Sequence, residues 1–131
     1  MARRAHRRRE ALDKRGATAL EYGLLAPVLF ALLLGIMDMG RLMWMYTGLN
    51  RGVTEAARCG AVDSTNCGTT AQIQNVAAAG VWGATVPSST FSVSTSAACG
   101  VQVTASYTFQ LTIPGFSSIV LAPSACFTKL Y

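Results

Sequence analysis

The chain has 131 residues, enough for one domain with an appendage and too few for the core of a multi-step enzyme. Only 13% of residues are charged while 51% are hydrophobic, and the mean hydropathy is +0.36, a balance that excludes a disordered chain and an ordinary cytosolic domain. The net charge of +5 belongs to the first 15 residues, where seven Lys or Arg outnumber Glu10 and Asp13; beyond them Arg41, Arg51, Arg58 and Lys129 balance Glu21, Asp38, Glu55 and Asp63. Positive charge confined to a tail does not make a nucleic-acid face, so no nucleic-acid partner is expected.

Three blocks follow in chain order: a basic segment 1–16, an apolar stretch 17–58, and a Ser-, Thr-, Ala- and Gly-rich region 59–131 with only Asp63 and Lys129 charged. From Tyr22 to Met37 no residue is charged, and by borrowing from flanks that reach from Ala17 to Thr47, and that carry Glu21, Asp38 and Arg41, this core attains the roughly 20 residues a membrane-spanning helix needs. Lys and Arg favour the cytoplasmic side, so the tail of Arg3, Arg4, Arg7, Arg8, Arg9, Lys14 and Arg15 is expected inside and the C-terminal block outside the cell membrane. A secretory signal peptide shares this pattern, but Gly35, Ile36, Met37 and Asp38 follow the apolar run without a small-x-small cleavage site. Pro27 removes one helical hydrogen bond and predicts a local kink that a membrane helix tolerates.

The run Arg15, Gly16, Ala17, Thr18, Ala19, Leu20, Glu21, Tyr22 resembles the site at which prepilin peptidases cut type IV pilin-like precursors. In that group a basic leader ends in Gly, the cut follows it, and a Glu stands fifth in the mature chain, as Glu21 does when Ala17 is first. Pro27, the sequence Asp38, Met39, Gly40, Arg41, and Glu55, Ala56, Ala57, Arg58 extend the likeness to TadE-like minor pilins of the tight adherence (Tad/Flp) pilus. The resemblance implies cleavage between Gly16 and Ala17, and an assembly role for Glu21. As partners it implies a prepilin peptidase, other pilin-like subunits and the inner-membrane assembly platform. Elementary electrostatics gives Glu21 a reason of its own: cleavage creates an amine on Ala17, and an amine and a carboxylate from neighbouring copies offset each other in an apolar bundle. The alternative is that Glu21 stays solvated at the interface.

Gly48, Gly52, Ala56 and Gly60 recur every four residues, echoed by Ala19 with Gly23 and Ala31 with Gly35, a small-residue ridge on which another helix backbone can settle. The ridge has two readings, packing against another subunit or against this chain's own sheet. Arg51, Glu55 and Arg58 fall on one face as a carboxylate between two guanidiniums, and Asp38 with Arg41 forms an i, i+3 pair expected at the outer membrane boundary.

In the last block, Thr70 is expected to cap a short helix over 71–81, with Ile73, Val76, Ala77, Gly80 and Val81 on one face. Phe91 and Val93 alternate with Ser92 and Ser94 in a first strand. Val101, Val103, Ala105, Tyr107, Phe109, Leu111 and Ile113 then mark one long second strand ended by Pro114 and Gly115, and a last strand follows over 125–131. The expected fold class is therefore α+β and pilin-like: a long N-terminal transmembrane helix, then a small domain with a short helix and an antiparallel sheet of about three strands.

Four cysteines, Cys59, Cys67, Cys99 and Cys126, all beyond the membrane stretch, read as two disulfides. Three connectivities exist; Cys59 with Cys67 and Cys99 with Cys126 is the favoured one, closing the helix end onto its following loop and the second strand onto the last. No Cys-x-x-Cys occurs and His6 lies in the leader, so no metal and no cofactor are expected. Ser92, Ser94 and Ser96 have no base to activate them, and no enzyme is expected. The functional expectation is a processed minor pilin or pseudopilin acting in pilus assembly. Its alternative is a single-pass envelope protein whose exported domain binds a ligand.

Overall fold

The computed structural model describes residues 2–112, 115 and 117–130, and for 2–15 the backbone alone. Helix α1 runs Ala2–Val62 with Pro27 inside it, so it takes in the basic segment and continues past Arg58. By its internal contacts the chain forms two units, Met1–Met37 and Asp38–Tyr131.

The first unit is helix only. Its large hydrophobic side chains from Leu20 to Met37 are exposed, and the described residues contain one helix long and apolar enough to cross a membrane.

The second unit holds the rest of α1 and an α+β arrangement built on it. Helix α2 spans Thr70–Ala79, a 3-10 turn Ser88–Thr90, and five strands follow: β1 Phe91–Ala97, β2 Gly100–Ala105, β3 Tyr107–Phe109, β4 Ile119–Leu121 and β5 Ser124–Phe127. They make a three-stranded antiparallel sheet in the order β1-β2-β5 and a separate antiparallel pair, β3 with β4.

Helix α1 ends where Asp63 offers the backbone another partner. Its Oδ1 accepts the amides of Thr65 (2.9 Å) and Asn66 (3.0 Å), an Asx turn that competes with further helix. The Leu130 amide donates to the Ala61 carbonyl at 3.1 Å, satisfying one of the acceptors that a helix C-terminus leaves open. Helix α2 starts one residue earlier than the expected Thr70 cap. Thr69 is the N-cap, its hydroxyl accepting the Gln72 amide while Gln72 Oε1 accepts the Thr69 amide, a reciprocal capping box. It also ends sooner, at Ala79, with Gly80 as C-cap, so Val81 is buried from outside the helix.

The expected long second strand is two strands in two sheets. Val101, Val103 and Ala105 point into the core as the alternation predicts, but at Ser106 the partners change: the Ala105 amide donates to Pro123 O (2.9 Å) and the Ser106 amide to Thr90 O (3.0 Å). Tyr107–Phe109 then pairs with β4, a strand the sequence reading lacked. The expected last strand over 125–131 is shorter and begins earlier, as β5, because only Ser124 to Phe127 lie opposite β2. Ile113, Pro114 and Tyr131, where two of the expected strands were to end, lie outside the described residues.

The core lies where α1, α2 and the larger sheet meet. Leu49 and Val53 from α1, Ile73 from α2, Phe91 from β1, and Val101 and Val103 from β2 are its largest fully buried apolar side chains. Each contributes roughly 1.5–3 kcal/mol by leaving water. Gln74 Nε2 donates to Phe91 O at 2.7 Å and fixes α2 against β1.

Candidate functional site

Gly16, Ala17 and Glu21 stand exposed on α1, and no atom would meet a Cβ at Gly16 within 4 Å. The Glu21 carboxylate has no hydrogen bond or ion pair among the described residues. The nearest cation C-terminal to it, Arg41, is committed elsewhere.

That commitment is a polar clasp. Asp38 and Arg41 lie three apart on α1 and so share a face. Asp38 is only 3% exposed; its Oδ2 accepts the Thr112 amide at 2.7 Å, and its Oδ1 lies 3.3 Å from Arg41 Nη1. The same Nη1 donates to Thr112 Oγ1 at 2.8 Å, and the guanidinium stands 5.6 Å from the Phe109 ring centroid. A buried carboxylate persists only when hydrogen-bonded and paired, and Thr112 with Arg41 meets that condition. The sequence reading found the pair but not Thr112, which lies 74 positions away. The available signal was an acid directly after the uncharged run from Tyr22 to Met37.

The small-residue ridge is covered by this chain itself. A Cβ on Gly52 would stand 2.5 Å from Ala77 O, and one on Gly48 3.3 Å from Val81 Cγ1; Ala56 is fully buried. What packs there is chiefly α2 and the residues after it, with the sheet reaching only Gly60 through Val101. Ala19, Gly23 and Ala31 are exposed and Gly35 is half-buried.

Beside the ridge, the indole Nε1 of Trp44 donates to Trp82 O at 3.2 Å. Gly83 makes this approach possible: its φ is +76° and a Cβ would stand 2.9 Å from that nitrogen. The Arg51 guanidinium lies 4.0 Å from the centre of the Trp82 ring and its Nε is 2.9 Å from Glu55 Oε1. Arg58 joins no ion pair among the described residues, so only half of the expected three-charge cluster forms. A groove of about 470 Å³ opens between Arg41, Trp44, Met45, Gly83, Tyr107 and Phe109. Its lining mixes aromatic, apolar and polar side chains with one cation, Arg41. No group of three or more His, Cys, Asp or Glu side chains able to hold a metal occurs among the described residues.

Two disulfides complete the second unit. Cys59 at the end of α1 joins Cys67 before α2, with Cα atoms 5.8 Å apart, and Cys99 in the β1–β2 turn joins Cys126 on β5 at 6.2 Å. Of the three connectivities, this is the favoured one.

These features define a class: a chain with one exposed apolar helix of membrane-crossing length whose far part is built into a small disulfide-linked α+β domain. The family model of TadE-like proteins matches residues 16–58, nearly the stretch on which the resemblance rests, and this segment is TadE-like in sequence. TadE-like proteins are pilin-like and associated with the Tad pilus. No curated protein and no solved structure matches the chain.

Proposed function

We propose that this protein is a minor pilin or pseudopilin that a prepilin peptidase cuts between Gly16 and Ala17, and that takes part in assembling a Tad-type pilus. The observation that carries the reading is the TadE-like match over residues 16–58, the stretch that holds Gly16, Ala17 and Glu21. Before cleavage the basic leader holds the N-terminus in the cytoplasm, and the disulfide-bonded domain stands outside the membrane. After cleavage Glu21 pairs with the Ala17 amine of a neighbouring pilin-like subunit, and the pairs Ala19 with Gly23 and Ala31 with Gly35 allow close approach on the assembly platform. The domains are then the leader 1–16, the long helix 17–58 and the exported block 59–131. The role is structural and requires no catalytic residue.

Intact-mass analysis of the membrane-extracted protein, produced with and without a prepilin peptidase, tests this. Loss of 16 residues only with the peptidase is the expected result. A full-length chain in both samples overturns processing and favours an anchored envelope protein with a ligand-binding domain.

A further inference from the structure

The exposed side chains of α1 change character at one point. Past Met37, apart from Gly40 and Arg41, they remain apolar through Met39 (59% exposed), Met43 (57%), Trp44 (64%) and Tyr46 (44%). From Thr47 onward the exposed positions up to Arg58 are Thr47, Asn50, Arg51, Thr54, Glu55 and Arg58, all polar. Placing the outer membrane boundary at Asp38 and Arg41 leaves Met43, Trp44 and Tyr46 in water, uncovered by the domain that begins there.

A later boundary removes the difficulty. The 27 residues from Leu20 to Tyr46 make about 40 Å of helix at 1.5 Å per residue. A bilayer with its headgroup layers is about 40–45 Å thick. Tyr22 then falls near one end of that length and Trp44 with Tyr46 at the other, the two levels that amphipathic aromatic rings occupy in membranes. The cost of the later boundary is that Asp38 lies deeper than the headgroups, and the structure meets it: the carboxylate is buried by its own domain, bonded to the Thr112 amide and to Arg41. The Arg41 side chain is 61% exposed while its Nη1 holds Asp38 and Thr112.

Resting on the reading of α1 as a membrane span, we propose that Trp44 and Tyr46 seat in the phospholipid headgroup layer of the extracytoplasmic leaflet. Trp82 lies at the outer edge of that layer, and the Asp38–Arg41–Thr112 clasp carries a carboxylate below it without exposing it to lipid. The base of the domain, with the Thr112 end of the clasp, is then set into that leaflet rather than held clear of it. Continuity with the apolar span points to lipid; a second copy or a sugar would have no reason to meet a band placed one bilayer thickness from Leu20.

The chain has two tryptophans, so each can be followed alone. Full-length protein is reconstituted into vesicles of phosphatidylethanolamine and phosphatidylglycerol whose acyl chains carry bromine either near the headgroup or near the terminal methyl. W82F reports Trp44, W44F reports Trp82, and the unsubstituted chain checks that neither variant disturbs the result. Emission from Trp44 is expected to fall most with bromine near the headgroup, and Trp82 to lose less. Unchanged Trp44 emission in both lipids, with the chain still floating with the vesicles after alkaline carbonate, overturns the docking while the span stands. Trp44 emission shielded equally in detergent and in both lipids overturns it in favour of burial against another copy. Loss of the chain from the vesicles in carbonate overturns the span and the docking together.

Discussion

Asp38 shows what one carboxylate does when burial leaves it no water. Removing it in Asp38→Ala deprives the Thr112 amide of its acceptor and Arg41 of its ion partner, at an expected cost of about 1–3 kcal/mol. Hydrogen exchange checks this directly: protection of the Thr112 amide should disappear in Asp38→Ala. Asp63 sits outside the membrane stretch and behaves differently. The Asn66 side chain, then the Asn66 and Thr65 amides, hold its carboxyl below the ordinary value of 3.8. A depressed folded value means that the ionised form is favoured on folding, so its contribution is complete above the ordinary value and is lost as pH falls through the lower folded one. An NMR titration of the Asp63 carboxyl should show that depression, and Asn66→Ala should move the midpoint back toward 3.8.

Helices α1 and α2 meet with almost no side chain between them at Gly52, and this governs the two elements. In Gly52→Val the new methyl groups would enter the space held by Ala77 O, 2.5 Å from the Cβ position, so the helices must separate. The expected destabilisation is about 1–3 kcal/mol, read by denaturant unfolding of the full chain in detergent. Gly23→Val, at an exposed position with nothing within 4 Å, should leave that midpoint unchanged. Its effect, where Ala19 and Gly23 contact a neighbour, would be on association. Helix α2 has a second vulnerability at its start: Thr69→Ala removes one half of the capping box and is expected to cost about 1 kcal/mol in the same measurement.

Taken whole, the block 59–131 has few charges and depends on burial and cross-links. Cys59–Cys67 closes a separation of 8 residues and Cys99–Cys126 one of 27. On the loop-entropy account the longer closure is worth about 1 kcal/mol more, within a typical range of about 2–4 for each bond. The double variant Cys99→Ser with Cys126→Ser should therefore unfold at lower denaturant than Cys59→Ser with Cys67→Ser. Association between chains is a separate property of the whole molecule. Cysteines introduced at Ala19 or Gly23 should cross-link neighbouring copies in the membrane, and Glu21→Ala should weaken that cross-linking more than it slows cleavage at Gly16. Equal cross-linking with and without the carboxylate would assign association to small-residue packing alone.

Local pattern carried much of this protein. Sixteen uncharged residues from Tyr22 to Met37 suffice for an apolar helix whatever surrounds them, and the order Gly16, Glu21, Pro27, Gly40, Arg41 and Arg58 carried the TadE-like likeness. Alternation likewise put Val101, Val103 and Ala105 inward, since side chains on a strand change face at every residue. Tertiary structure decided whatever depended on a distant partner. Alternation reads the same on either side of Ser106, so it could not reveal that Ala105 and Tyr107 belong to different sheets; amide bonds to Pro123 and Thr90 settle that. Small residues at Gly48 and Gly52 admit any backbone, and only folding shows that what they admit is α2 at Gly52 and Val81 with Trp82, just after it, at Gly48. Asp38 and Arg41 were legible as a local pair because helix spacing brings them together. The burial of Asp38 was not, because Thr112 reaches it through space and no periodicity of the helix records it.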